Sequence, residues 1–162
     1  MLDMHIRPLR AEEVETLVAI AVAAWEPIFA MYRQTLGEEL FALETPDWRA
    51  KKADQIRRGC APDSRAAVFV AERAGKIVGF VTCYTHASGV GEIGNNAVWP
   101  AERGQGIAPR LYEHALAHLR AQGMGYVKVG TGLDPAHAPA RRAYEKVGFE
   151  VAVPAVTYYR KL

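Results

Sequence analysis

The order of elements in this sequence predicts one mixed α/β domain, an α+β arrangement with helices on the faces of a central sheet. Three observations lead there. The hydrophobic period changes along the chain, from three- and four-residue spacing before residue 60 to alternation between 67 and 98, and then back to helical spacing. At 162 residues, with no internal repeat, low-complexity stretch or linker, the chain has the length of a single domain. Half of it is hydrophobic and 9% aromatic, a composition that buries a core without metal or disulfides.

The elements follow in order. His5-Ile6-Arg7-Pro8-Leu9 reads as a short strand ending at Pro8, and Glu12 to Ala24 as a helix carrying Val14, Leu17, Val18 and Ala21 on one side. Pro27 is expected to interrupt it, because proline loses a helical hydrogen bond and clashes with the preceding turn. A second short helix then runs to Gly37, and a third from Asp47 to Arg58. Two apolar runs, Ala67–Ala71 and Ile77–Tyr84, flank Ala74-Gly75 and predict an antiparallel hairpin. A strand from Glu92 to Val98 follows the turn at Ser88-Gly89. Next comes a helix with Ile107, Leu111, Ala115, Leu116 and Leu119 on one face, ending at Gly123. Tyr126–Val129 is a strand, Ala138–Val147 a helix stopped by Gly148, and Phe149–Val153 and Val156–Lys161 are the last two expected strands.

Charge and cysteine content narrow the function classes. A net charge of +2 with no basic stripe predicts no nucleic-acid binding. Cys60 and Cys83 have neither CxxC spacing nor paired histidines, so no metal site and no disulfide framework is expected. The first ten residues lack the apolar segment of a signal peptide, and the longest apolar stretch, Leu17–Trp25, is too short to span a bilayer. The expectation is a cytoplasmic protein without membrane contact. Whether it forms a homodimer is left open.

The stretch Pro100-Ala101-Glu102-Arg103-Gly104-Gln105-Gly106-Ile107-Ala108 lies between a strand and a helix. Glycines here let the backbone approach a bulky anion, and the helix supplies unpaired N–H groups and the positive end of its dipole. The turn lacks the third glycine of a dinucleotide fingerprint and the Gly-Lys-Ser/Thr of a Walker loop. Alone, it reads equally as a tight turn before a helix.

Its neighbours add to that reading. Arg103-x-x-Gly106-x-Ala108 after Ala97-Val98-x-Pro100 resembles the acyl-CoA-binding motif of the GNAT acetyltransferases, and Ala140-x-x-x-Tyr144-Glu145-Lys146-x-Gly148-Phe149 resembles the second signature of that family. The hairpin from Val68 to Tyr84 fits the same pattern, so the resemblance covers most of the chain and is weakest between Trp25 and Arg65. It implies a mostly antiparallel sheet with one splayed parallel strand pair, and acetyl-CoA as co-substrate. The backbone of Arg103, Gly104, Gln105, Gly106, Ile107 and Ala108 would hold the pyrophosphate. Pantetheine would lie beside Ala97 and Val98, with the Val98 N–H as oxyanion donor. Tyr144 matches the position of the general acid to the departing thiolate. The family often has Asn three residues before Ala140, where this chain has His137, expected at the mouth of the last helix.

Glu92 precedes Val98 by six residues, on the same face by strand alternation, and resembles the glutamate base of one branch of the family; it reads equally as an exposed carboxylate. Glu26 and His86 are further candidate bases. Trp25, Glu26, Phe29 and Tyr32 are candidates for an acceptor pocket, with core packing at helical spacing as the other reading of Trp25 and Phe29. The expected reaction is direct acetyl transfer to an amine, a small molecule being favoured. A non-catalytic acyl-CoA-binding module and a phosphate binder relying on the glycine turn alone are the alternatives.

Overall fold

The computed structural model describes residues 3–162. Its elements are β1 (Met4–Pro8), α1 (Val14–Glu44), α2 (Trp48–Gly59), β2 (Ala66–Arg73), β3 (Lys76–Tyr84), β4 (Val90–Val98), α3 (Ile107–Ala121), β5 (Tyr126–Val129) and α4 (Ala138–Lys146). The five strands form one sheet in sequence order, antiparallel from β1 to β4 and parallel between β4 and β5. The predicted hairpin is β2–β3. Its turn residues, Ala74 (φ 50°) and Gly75 (φ 72°), are both left-handed, as a two-residue turn matched to strand twist requires.

Alternation along the central strands gives the sheet two apolar faces. Phe69, Val81, Cys83 and Ile93 meet Leu111, Tyr112, Ala115 and Leu119 of α3 and Tyr144 of α4 on one side. Val70, Phe80 and Ala97 meet Leu17, Ile20, Ala21 and Ala24 of α1 and Ile56 of α2 on the other. The helical stretch Ala11–Glu44 is long and apolar enough to cross a bilayer by length and composition. Here the apolar stripe of its first half is buried on the sheet.

Two expectations are corrected. The first concerns Pro27, which lies inside α1 without ending it; the helical geometry breaks instead at Gly37 (φ 77°, ψ 161°). Proline removes one bond, to the Ala23 carbonyl, whereas the buried face of Leu17, Ile20, Ala21 and Ala24 holds the helix on the sheet. The Arg103 guanidinium donates to the neighbouring Ala24 carbonyl at 3.2 Å. The second concerns the expected strands Phe149–Val153 and Val156–Lys161, which do not form, since residues 149–162 have no regular structure. Strand propensity is expressed through pairing with a neighbouring strand, and this segment has no ladder partner among the described residues.

Candidate active site

The sheet opens at one point. β4 and β5 pair from Val90↔Tyr126 to Ile93↔Val129, after which β5 ends while β4 continues to Val98. Residues 94–98 of β4 therefore have no partner on that side. The Trp99 N–H is bound to the Val78 carbonyl on β3, 2.9 Å away, so alternation turns the Val98 N–H the other way, into the gap. A cleft of about 930 Å³ runs from this gap to the glycine turn.

At its far end, Gly104 (φ 76°) and Gly106 (φ 74°) are both left-handed. A Cβ at either would meet nothing within 4 Å, so glycine is required here by backbone conformation rather than by crowding. No side chain caps the N-terminus of α3, and its first turn carries no acidic residue. Its orphan N–H groups and positive dipole end are thus open to an anion.

β4 also carries a bulge that strand alternation does not reveal. Val81 pairs with Asn96 and Cys83 with Ile93, so Thr82 alone faces Gly94 and Asn95. A Cβ on Gly94 would lie 2.7 Å from Thr82 Oγ1, and the Thr82 hydroxyl donates to the Asn95 carbonyl at 3.0 Å. The extra residue reverses the alternation. Asn96 and Val98 face the α3/α4 side with Ile93, and Glu92 faces the α1/α2 side. The expectation that Glu92 and Val98 share a face is corrected for this reason, although both line the cleft.

The bulge puts Asn96 between two tyrosines. The Asn96 Nδ2 donates to the Gly94 carbonyl at 3.0 Å and to Tyr144 Oη at 3.1 Å, and Tyr112 Oη donates to Asn96 Oδ1 at 2.7 Å. A backbone carbonyl can only accept, so it fixes which edge of the amide carries the hydrogens. Tyr144 is therefore an acceptor from Asn96, and its own proton is free to point elsewhere. The Tyr144 ring is buried against Tyr112 and Phe149, with centroids 4.9 and 5.9 Å away. Burial raises its phenol pKa, and the hydrogen bond from Asn96 opposes that rise. Burial pushes Tyr112 much higher, which keeps it a neutral donor.

Other predicted residues fall in different places. His137 stands at the start of α4, its Nδ1 2.6 Å from Asp134 Oδ2 and its N–H on Asp134 Oδ1 at 3.0 Å. Burial alone would raise the Asp134 carboxyl, but these hydrogen bonds hold it below its ordinary value. His137, Ala140, Ala97, Arg103, Ile107, Ala108 and Trp25 all line the cleft. Gln105 does not; its side chain is tied to Arg73 and Glu102. Glu26 is paired with Arg49 at 2.6 Å on the surface, while Phe29 stacks on Trp48 at 4.1 Å and meets Tyr32 edge-on at 5.8 Å. These three stand beside the cleft rather than in its lining. Glu92 Oε2 lies 3.0 Å from His86 Nε2 and 3.6 Å from Lys128 Nζ, which brings two candidate bases into one pair.

Sequence reasoning missed Asn96 as a tyrosine partner, Tyr112, Thr82 and Lys52. The Lys52 ammonium sits 4.1 Å from the Trp25 ring centroid, donates to Gln55 at 2.7 Å, and is lowered by burial to about 8. Only the two adjacent polar residues in an apolar strand, Asn95 and Asn96, gave any signal.

A parallel strand pair that ends at Ile93, an open glycine turn and a buried tyrosine lining the same cleft come together in this mixed α/β fold. Residues 25–149 match the Acetyltransferase (GNAT) family, and the chain belongs to it. Among curated relatives it is 39% identical over 101 residues to a mycothiol acetyltransferase of Thermobispora bispora, covering 59% of this chain and 34% of the relative. A mycothiol acetyltransferase of Thermomonospora curvata is 36% identical over 84 residues, covering 52% and 28%. The chain thus spans about a third of the length of these relatives. The fold matches a PaiA N-acetyltransferase of Thermoplasma acidophilum in complex with coenzyme A (TM-score 0.69, 19% identity, 93% and 92% of the two chains). It also matches a GNAT family acetyltransferase of Brucella melitensis in complex with acetyl-CoA (TM-score 0.61, 21% identity, 93% and 85%).

Proposed function

We propose that this protein transfers the acetyl group of acetyl-CoA directly to a primary amine of a small molecule. The observation that carries the reading is the hydrogen-bond chain Tyr112–Asn96–Tyr144, which ends on a phenol proton free to face the β4–β5 gap. The cleft residues fit the co-substrate: a long groove, an uncapped helix end for phosphate and a strand edge with unpaired N–H groups. Acetyl-CoA brings a thioester carbon open to attack and a thiolate as leaving group.

Each residue then has a role. The Gly104–Ala108 backbone and the α3 N-terminus hold the pyrophosphate, with Arg103 and His137 at the rim. The Val98 N–H donates to the thioester oxygen, where a preorganised donor is worth about 3 kcal/mol. Glu92, coupled to His86, takes the proton from the amine. Tyr144 gives its proton to the thiolate, and the hydrogen bond from Asn96 steadies the phenolate left behind. Neither cysteine suits a covalent acyl-enzyme, because burial raises both thiols to about 11.

The names of the similar proteins support a small acceptor, since they include mycothiol acetyltransferases and an aminoglycoside acetyltransferase in complex with sisomicin. In the test, thiol release from acetyl-CoA is followed across a panel of small amines. Tyr144→Phe is expected to lower kcat at least tenfold with acetyl-CoA affinity held within about twofold. Binding lost in parallel with turnover would make Tyr144 a packing residue and remove it from the chemistry. Binding of acetyl-CoA without turnover on any amine would favour a non-catalytic acyl-CoA-binding module.

A further inference from the structure

Away from the glycine turn the cleft is walled by α1, α2, β3 and β4, and the charges on α2 are unevenly matched. Its three arginines each have a carboxylate partner: Arg49 with Glu26, Arg57 with Glu15 and Arg58 with Asp54. Lys52 on the same helix has none among the described residues. Its half-buried ammonium donates to Gln55 Oε1 at 2.7 Å and to Asn95 Oδ1 at 3.4 Å, and it lies 4.1 Å from the Trp25 ring centroid. All three partners are neutral, so burial acts on this cation with no carboxylate to offset it. An ammonium buried without a counter-charge costs stability. That cost falls at the wall of the cleft, which Trp25, Gln55 and Asn95 all line.

The surroundings extend the same imbalance. A second recess of about 620 Å³ adjoins the cleft between α2 and the sheet, and Gln55, Tyr84 and Asn95 line both. Lys51, Arg58 and Arg65 line this recess, with Asp54 as its single carboxylate, and Asp54 is already taken by Arg58. On the α1 side Glu26 is neutralised by Arg49. Glu92, the group that takes the amine proton in the proposed transfer, precedes Asn95 by three residues on β4. Three residues of strand reach at most about 10 Å. One cleft therefore places a proton acceptor and an unmatched cation within the span of a small molecule.

Resting on the transfer reading above, we propose that the acceptor is an amine that also carries an oxyanion, and that Lys52 binds this oxyanion while the amine faces Glu92. The oxyanion supplies the counter-charge that Lys52 lacks, and the charge-assisted bond fixes the far end of the acceptor so that its amine is oriented for attack. Lys51, Arg58 and Arg65 at the adjoining recess favour the same sign of charge. A carboxylate or a phosphate monoester has this chemistry. A polyamine does not, because its second cation would meet Lys52.

The experiment compares matched amines on the full chain, by thiol release from acetyl-CoA and by calorimetric binding to the CoA-loaded protein. γ-Aminobutyrate is set against butylamine, ε-aminocaproate against hexylamine and O-phosphoethanolamine against ethanolamine, with spermidine as the cationic probe. The anionic member of a pair is expected to have a kcat/KM about tenfold higher or more, and Lys52→Gln to shrink that ratio below about threefold. Lys52→Arg, which keeps the charge, should preserve most of it. Each ratio is taken within one variant, so a loss of folded protein cancels. A larger ratio for the two carboxylates than for the phosphate identifies the acid as a carboxylate, and the reverse as a phosphate. Equal kcat/KM within every pair, a preference for spermidine, or a ratio that survives Lys52→Gln would each overturn the proposal. Thiol release without any such preference would remove the anion site and leave the transfer reading standing. Lys52-dependent binding of the anionic probes without thiol release would do the reverse.

Discussion

Asn96→Asp is the sharpest perturbation of the site. It keeps the shape of the side chain and the oxygen that accepts from Tyr112, and it removes both N–H donors. A carboxylate oxygen then faces Tyr144 Oη, and the phenol turns its proton inward to that oxygen and away from the gap. The phenolate that forms when the thiolate is protonated loses its donor and gains a negative neighbour. A hydrogen bond to a charged group is worth about 1.5–3 kcal/mol. Lost only in the transition state, that is roughly a 10- to 100-fold fall in kcat. The assay is thiol release at saturating acetyl-CoA, paired with calorimetric binding of acetyl-CoA, which should change little. A second readout needs no acceptor: ultraviolet titration of Asn96→Asp against Asn96→Asp/Tyr144→Phe isolates the Tyr144 phenol, whose pKa should rise above its wild-type value. A kcat within twofold of wild type, with an unmoved Tyr144 titration, would refute the reasoning.

Two further predictions concern the turn and stability. Gly106→Val places a β-branched residue at φ 74°, where the left-handed conformation costs about 1–2 kcal/mol; acetyl-CoA affinity should fall at least tenfold by calorimetry while the circular dichroism spectrum is kept, and unchanged affinity would remove this turn from the binding site. Lys52 has a folded pKa of about 8 against an ordinary 10.5. Below pH 8 both states are protonated and the fold bears the full cost of a half-buried charge; between about 8 and 10.5 the unfolded chain holds more protons, so stability rises with pH. Lys52→Gln should raise Tm at pH 7 and flatten that rise in melts at pH 7, 8.5 and 10, and an identical pH slope in the variant would contradict the assignment.

What the sequence made legible was local. The hairpin at Ala74-Gly75, the turn at Gly104–Gly106 and the amphipathic face of α3 depend on neighbours within a few residues, and each lies where it was expected. The bulge at Gly94–Asn95 does not: it depends on Thr82 across the ladder, and a one-residue slip reassigns every later side chain to the other face. For that reason simple alternation puts Glu92 on the face of Val98 and gives no sign that Asn96 partners Tyr144. Glu26 reads as a free carboxylate in sequence because Arg49, its partner, is 23 positions away. The C-terminal runs have strand composition, but composition cannot supply the edge to which a strand must bond. Pro27 fails to end α1 for a related reason: one lost bond is small beside the burial of a whole helix face.

The central claim is that the cleft between β4, β5 and the α3 N-terminus takes acetyl-CoA. Calorimetric titration of the full chain with acetyl-CoA, with ATP and NAD as controls, tests it most directly. Saturable one-site binding of acetyl-CoA, with neither control binding comparably, is the predicted result. A folded sample that binds ATP as well as acetyl-CoA, or that binds none of the three, would contradict it.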